Sequence, residues 1–256
     1  MENVIIQLLI HLPDKDIFFL SQTSLQLNYT IYKIYLQNYW WKQRVQYLLQ
    51  TDFPDFNFYW YDIYHDIYDS KSDELKDLSR VFLDAVKLNK IETIKILLLV
   101  PDVNSSAEDN EALIWASIKG YSEVVKLLLG QPNVDPAARN NEALSLASEN
   151  GHLEIVKLLL AQPNVDPTAR NNAALIWAST NGHLEIVKLL LAQPNVDPAA
   201  QNNAALIVAS ERGHLEIVKL LLTQPNVDPT ARNNEALISA SEKGHLEIVK
   251  LLLSIP

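Results

Sequence analysis

Cysteine is absent from the 256-residue chain. That one absence removes disulfides, thiolate zinc sites, iron–sulfur clusters and cysteine nucleophiles, and it suits a reducing compartment. Glycine and histidine are scarce at six residues each. Positive charge is scarce too: 21 Lys and Arg stand against 31 Asp and Glu, for a net charge of −10. No Lys/Arg run occurs, which argues against a nucleic-acid groove or an anionic membrane surface as partner. No apolar stretch approaches the roughly 20 residues of a membrane span. Met1-Glu2-Asn3 is acidic where a signal peptide carries positive charge. The expectation is a soluble, cytoplasmic protein, and 48% hydrophobic residues give it enough material for a core.

Aromatic residues are concentrated at one end. Of 21 Phe, Trp and Tyr, 18 lie within residues 1–82, leaving Trp115, Tyr121 and Trp177. So abrupt a change places a boundary near residue 79. Beyond it, Gly120, Gly151, Gly182, Gly213 and Gly244 recur every 31 residues, each inside a near-verbatim copy of one segment. A weaker copy precedes them, with Ala85, Asn89, Glu92 and Lys95 in phase. A fixed period of this length marks a repeat array of about six units.

One unit can be read from its residues. Asn141 precedes the apolar run A-L-S-L-A-S, which makes it a candidate helix N-cap. Asn150-Gly151 ends that helix, because glycine enters the left-handed region without a Cβ clash. His152 to Leu160 form a second helix with Glu154 and Lys157 outward and a wide apolar face. Gln162 to Pro167 stop it and carry the chain out and back. A lone helix pair cannot cover its own apolar faces, so neighbours have to stack on it.

The run G-H-L-E-I-V-K-L-L-L resembles an ankyrin repeat, and the preceding A-L-x-x-A sits in that family's phase. The likeness covers about 70% of the chain. It implies an all-α, ankyrin-type helical solenoid over residues 79–256. Two departures stand out. The family's T-P-L-H helix start is replaced by E-A-L-S or A-A-L-I, which removes its Thr–His hydrogen bonds. The period is also two residues short of the family's, the loss falling in the finger between units, where Asn takes the place of Gly. That substitution fits the tolerance of Asn for positive φ.

Residues 1–50 read as a small helical bundle. Within it, L-L-I-H-L-P-D-K-D-I-F-F-L-S-Q-T-S followed by Trp40-Trp41 resembles an F-box. Leu8, Leu12, Pro13, Asp16, Ile17, Leu20 and Trp40 fall in or beside its slots. The family's leading Leu-Pro is missing. The resemblance implies recruitment of a cullin-type ubiquitin ligase through a Skp-type linker. Its pairing with ankyrin units is similar to proteins of large DNA viruses of amoebae, which would put the protein in host cytoplasm. Residues 51–78 form an aromatic and acidic connecting helix and hinge: Trp60, Ile63, Tyr64, Ile67 and Tyr68 share one helical face. This helix is expected to pack between bundle and array.

Nothing in the inventory assembles catalysis, and no metal or cofactor is expected. His152, His183, His214 and His245 occupy one repeat position and are scaffold; His11 and His65 lack a partner at metal-ligand spacing. Five of six glycines end helices, leaving Gly130, so no phosphate-binding loop can form. Function is then expected in binding. Positions identical in every unit build the stack, and positions that differ are free for use. The main variable stripe is Trp115, Leu146, Trp177, Val208 and Ser239, which the ankyrin resemblance places on the concave groove. Beside it run Lys119, Asn150, Asn181 and Arg212, and the fingers add Arg139, Arg170 and Arg232. Trp and Arg are enriched at binding hot spots. A target protein in the groove is one reading; tryptophans packed flat along the helix surface are the other. The last unit, ending Leu253-Ser254-Ile255-Pro256, carries no polar outer face, leaving open what covers it.

Overall fold

A computed structural model describes residues 78–100 and 103–255. The F-box-like segment, His11, His65 and all of the connecting segment but Leu78 lie outside the described residues. The chain divides into two compact units, Met1–Asn104 and Ser105–Pro256. Every described element is helical; among the described residues no strand occurs, and the fingers are turns.

The first unit holds α1 (Leu78–Lys87) and α2 (Ile91–Leu97). They pack through Val81, Phe82, Ala85 and Val86 on one side and Ile94, Ile96 and Leu97 on the other, all buried. Asn89 joins them at φ 54°, in the repeat position where the later units use glycine. Asn is the residue that occupies this region most readily after Gly. Here the backbone N–H of Asn104 donates to Ser79 Oγ at 3.0 Å.

The second unit is a row of helix pairs: α3 (Ala107–Lys119) with α4 (Ser122–Leu129), α5 (Ala138–Glu149) with α6 (Leu153–Leu160), α7 (Ala169–Thr180) with α8 (Leu184–Leu191), α9 (Ala200–Arg212) with α10 (Leu215–Leu222), and α11 (Ala231–Glu242) with α12 (Leu246–Leu253). Each first helix packs on its own second helix and on the first helices beside it. Ala147, Ile155, Val156 and Leu159, with their equivalents, fill the space between. At the joint, Gly151 (φ 78°) lets His152 N–H reach back to the Ala147 carbonyl at 3.0 Å, closing the helix end as expected.

The N-cap expectation for Asn141 is overturned: no side chain caps α5. Arg139, Asn140 and Asn141 instead take φ of 49°, 57° and 60°, a left-handed turn before the right-handed helix. The other units repeat it, as at Gln201-Asn202-Asn203. Such a run is disfavoured for residues with a Cβ, least so for Asn. The turn aims the Asn141 amide away from its own helix, and Asn141 Oδ1 accepts the Asp166 N–H of the next finger at 2.9 Å. The same bond joins Asp135 to Asn110, Asp197 to Asn172 and Asp228 to Asn203.

Two further bonds tie neighbouring pairs. Histidine Nε2 approaches a carbonyl of the preceding unit: His152 to Ile118 at 2.9 Å, His183 to Glu149 at 3.0 Å, His214 to Thr180 at 3.0 Å, and His245 to Glu211 at 2.9 Å. With a carbonyl opposite, that nitrogen carries the proton. Each imidazole also lies against a glycine of the preceding unit, filling the space where a Cβ would stand. Arginine makes the third tie, Arg170 donating to the Arg139 carbonyl and Arg232 to that of Gln201.

One repeated feature runs against these economies. The Oγ atoms of Ser117, Ser148, Ser179 and Ser210 are buried with no hydrogen-bond partner among the described residues. Leaving a buried hydroxyl unpaired costs about 1–3 kcal/mol, and Ala is the better helix former. Ser148→Ala should therefore raise stability by about 1 kcal/mol in urea denaturation. Ser241 is exposed and donates to the Leu237 carbonyl at 2.7 Å, so Ser241→Ala should stay within about 0.5 kcal/mol of the parent. A loss at Ser148 matching any loss at Ser241 would show that the buried hydroxyls are paired.

Candidate interaction surface

The variable stripe lies on the first helix of each pair, one residue before the buried Ala. Helical periodicity explains its position: at 100° per residue, the alanine faces the core and its predecessor is turned toward the rim. Trp115, Leu146, Val208 and Ser239 are half-buried, and Trp177 is 44% exposed. Four residues on, Lys119, Asn150, Asn181, Arg212 and Lys243 are all exposed. An offset of four puts each of these on the same face as its stripe residue.

The two tryptophans are treated differently. Lys119 Nζ sits over the Trp115 ring, 5.1 Å from its centre, a cation–π contact. At Trp177 the corresponding residue is Asn181, whose amide donates to the Trp177 carbonyl at 3.2 Å and to the Glu149 carbonyl at 3.1 Å. That amide is engaged with backbone, and the Trp177 indole is exposed. Asn150 also bonds backbone, donating to Leu146 O at 2.8 Å.

The finger arginines are placed in bonds with the preceding unit. Arg139 donates to the Glu108 carbonyl at 2.6 Å and pairs with Glu111 at 3.0 Å. Arg170 lies 3.9 Å from Glu142 of the preceding unit, whereas Arg232 lies 3.5 Å from Glu235 of its own and reaches back only to the Gln201 carbonyl. A target would meet guanidinium groups that are half-exposed and already paired. The fingers also carry Asx turns. Asp228 accepts from the hydroxyl and N–H of Thr230, which hold its carboxyl below the ordinary value. Among the described residues no three His, Asp or Glu side chains converge as a metal site.

A right-handed helix, a glycine joint, a second helix and a turning finger, stacked in register through repeated bonds, define a helical-repeat array. Three overlapping matches to the family model for ankyrin repeats (3 copies) cover residues 82–171, 133–202 and 175–255. The chain belongs to the ankyrin-repeat family. No curated protein matches it. Among the described residues no helix is long and apolar enough to cross a membrane.

Proposed function

We propose that the protein is a non-enzymatic, two-part interaction adaptor working in the cytoplasm, of the host cell if the source is viral. Ankyrin repeats are protein-interaction scaffolds, and about six units over residues 79–256 would hold a target along Trp115, Leu146, Trp177 and Val208. Lys119, Asn150, Asn181 and Arg212 flank that stripe, with Arg139, Arg170 and Arg232 at the finger edge. The carrying observation is the exposure of Trp177 in the middle of a stripe that otherwise varies freely between near-identical units. A large aromatic left open on a soluble scaffold is a candidate anchor for a partner's apolar side chain.

Residues 1–50 supply the second part, an F-box-like bundle recruiting a Skp-type linker of a cullin-type ubiquitin ligase, with residues 51–78 as the connection. Support for this half is the fit of Leu12, Asp16, Ile17, Leu20 and Trp40 to the motif. The family match lies wholly in the repeats, residues 82–255, which favours a second reading, a plain ankyrin scaffold that sequesters its partner without any ubiquitin role.

Affinity capture separates the two. The 256-residue chain should retain a Skp-type protein that residues 79–256 lose, whereas identical partner sets would favour the plain scaffold. Trp115→Ala with Trp177→Ala should weaken target capture by about tenfold or more while leaving helical content intact. Unchanged capture would refute the groove assignment.

A further inference from the structure

The first helices of the second unit differ in charge as well as in their stripe residue. In α3, α5 and α11 acidic residues outnumber basic ones. Each of the three has a glutamate four positions before the stripe: Glu111 before Trp115, Glu142 before Leu146 and Glu235 before Ser239. An offset of four puts that carboxylate on the face of the stripe. Its place is taken by Ala173 before Trp177 and by Ala204 before Val208, each 9% exposed. Arg170 is the sole charged residue of α7, and in α9 Glu211 is balanced by Arg212. Although the chain carries a net charge of −10, acid is withdrawn from these two neighbouring helices.

Elsewhere the glutamate neutralises a finger arginine. Glu111 pairs with Arg139 at 3.0 Å, and Glu235 lies 3.5 Å from Arg232. Arg170 has no acid on its own helix and reaches Glu142 of the preceding unit only at 3.9 Å. Arg212 is exposed and pairs with no acid among the described residues. The helices α7 and α9 pack side by side, so Ala173, Trp177, Ala204 and Val208 make one uncharged patch. Arg170 stands at its finger end and Arg212 at its joint end, four residues past Val208.

We infer that this patch receives an extended acidic segment of the target, with an apolar side chain against Trp177 and carboxylates to either side. The inference rests on the groove reading above and adds the chemistry of the occupant. Charge complementarity selects it: such a segment meets like charge along α3, α5 and α11, and guanidinium at α7 and α9. The missing glutamates are part of the selection, because one at either alanine would set a carboxylate beside the aromatic anchor. A basic segment would have the opposite preference and would sit best where Glu111, Glu142 and Glu235 remain.

Random peptides displayed on phage, selected on the 256-residue chain and then remade in labelled soluble form, provide the test. The enriched sequences should carry an aliphatic or aromatic residue flanked by Asp or Glu. Their binding should weaken about tenfold or more in the Ala173→Glu, Ala204→Glu double variant, and also with Arg212→Glu. That double variant restores the residue three sibling helices carry, and circular dichroism checks its helical content. Added salt should weaken the same peptides. Peptides that require Trp177 but lack acid, or that bind the double-glutamate variant as tightly, would overturn the inference and leave the groove standing. Peptides indifferent to Trp177→Ala, or no enrichment at all, would remove the groove reading and the inference with it.

Discussion

Gly182→Ala is expected to destabilise the array by about 3 kcal/mol, against about 1 kcal/mol for the chemically identical Gly244→Ala. Both glycines sit near φ 78°, at 79° and 77°, so both alanines bear the left-handed penalty of about 1–2 kcal/mol. They differ in what stands beside them. A Cβ on Gly182 would lie 2.6 Å from the His214 ring, and the imidazole is held there by its 3.0 Å bond to the Thr180 carbonyl. Relieving the overlap moves the ring, breaks that bond and loosens the joint, adding about 1–3 kcal/mol of overpacking cost. At Gly244 nothing lies within 4 Å. Urea denaturation gives the ranking, and amide exchange across α7 to α10 locates the loss, because neighbouring repeats couple without unfolding as one rigid block. His214→Ala supplies the control: in the Gly182→Ala background it should cost clearly less than it does alone. Equal losses at Gly182 and Gly244 would mean that the imidazole is not packed against the backbone.

The same pair shows what the sequence made legible. Glycine and histidine at a fixed 31-residue spacing were assignable to the scaffold by recurrence alone, and the helix ends followed from the freedom of glycine. The arginines show where that rule says less. Arg139, Arg170 and Arg232 share one repeat position that Glu108 and Gln201 also occupy, so recurrence there is partial. Bonds to the preceding unit and a place at the edge of a target surface are compatible for them, since all three stay exposed. The role of Asn141 was hidden for a different reason. An Asn before an apolar run suits both an N-cap and a left-handed turn, and the choice depends on an N–H donor 25 residues ahead that only stacking brings near. The stripe itself lay within reach of local rules, one residue before each recurring Ala of the first helix. Which carbonyl each histidine meets, 34 residues back, required the packed array.

The asparagine joint can be separated into its parts by substitution at Asn172, which is buried, stands at φ 62° and accepts the Asp197 N–H at 3.0 Å. Asn172→Gly keeps the backbone freedom and removes the acceptor, so it should cost about 1–3 kcal/mol, the penalty for leaving the Asp197 N–H unpaired. Asn172→Ala removes the acceptor and also brings a Cβ without a compensating polar group into the left-handed region, adding about 1–2 kcal/mol. Ala should therefore be the worse of the two. Asn172→Asp retains an oxygen and much of the tolerance for positive φ, and should be milder than Ala at neutral pH. Urea midpoints rank the series, and the exchange rate of the Asp197 amide reports the bond directly: it should rise with Gly and Ala alike. A neutral Gly variant would mean that the finger N–H finds water once the acceptor is gone, leaving backbone conformation as the whole reason for Asn. If Gly and Ala lose equal stability, the cross-unit bond is the reason instead, and the left-handed turn is held by the stack rather than by the residue within it.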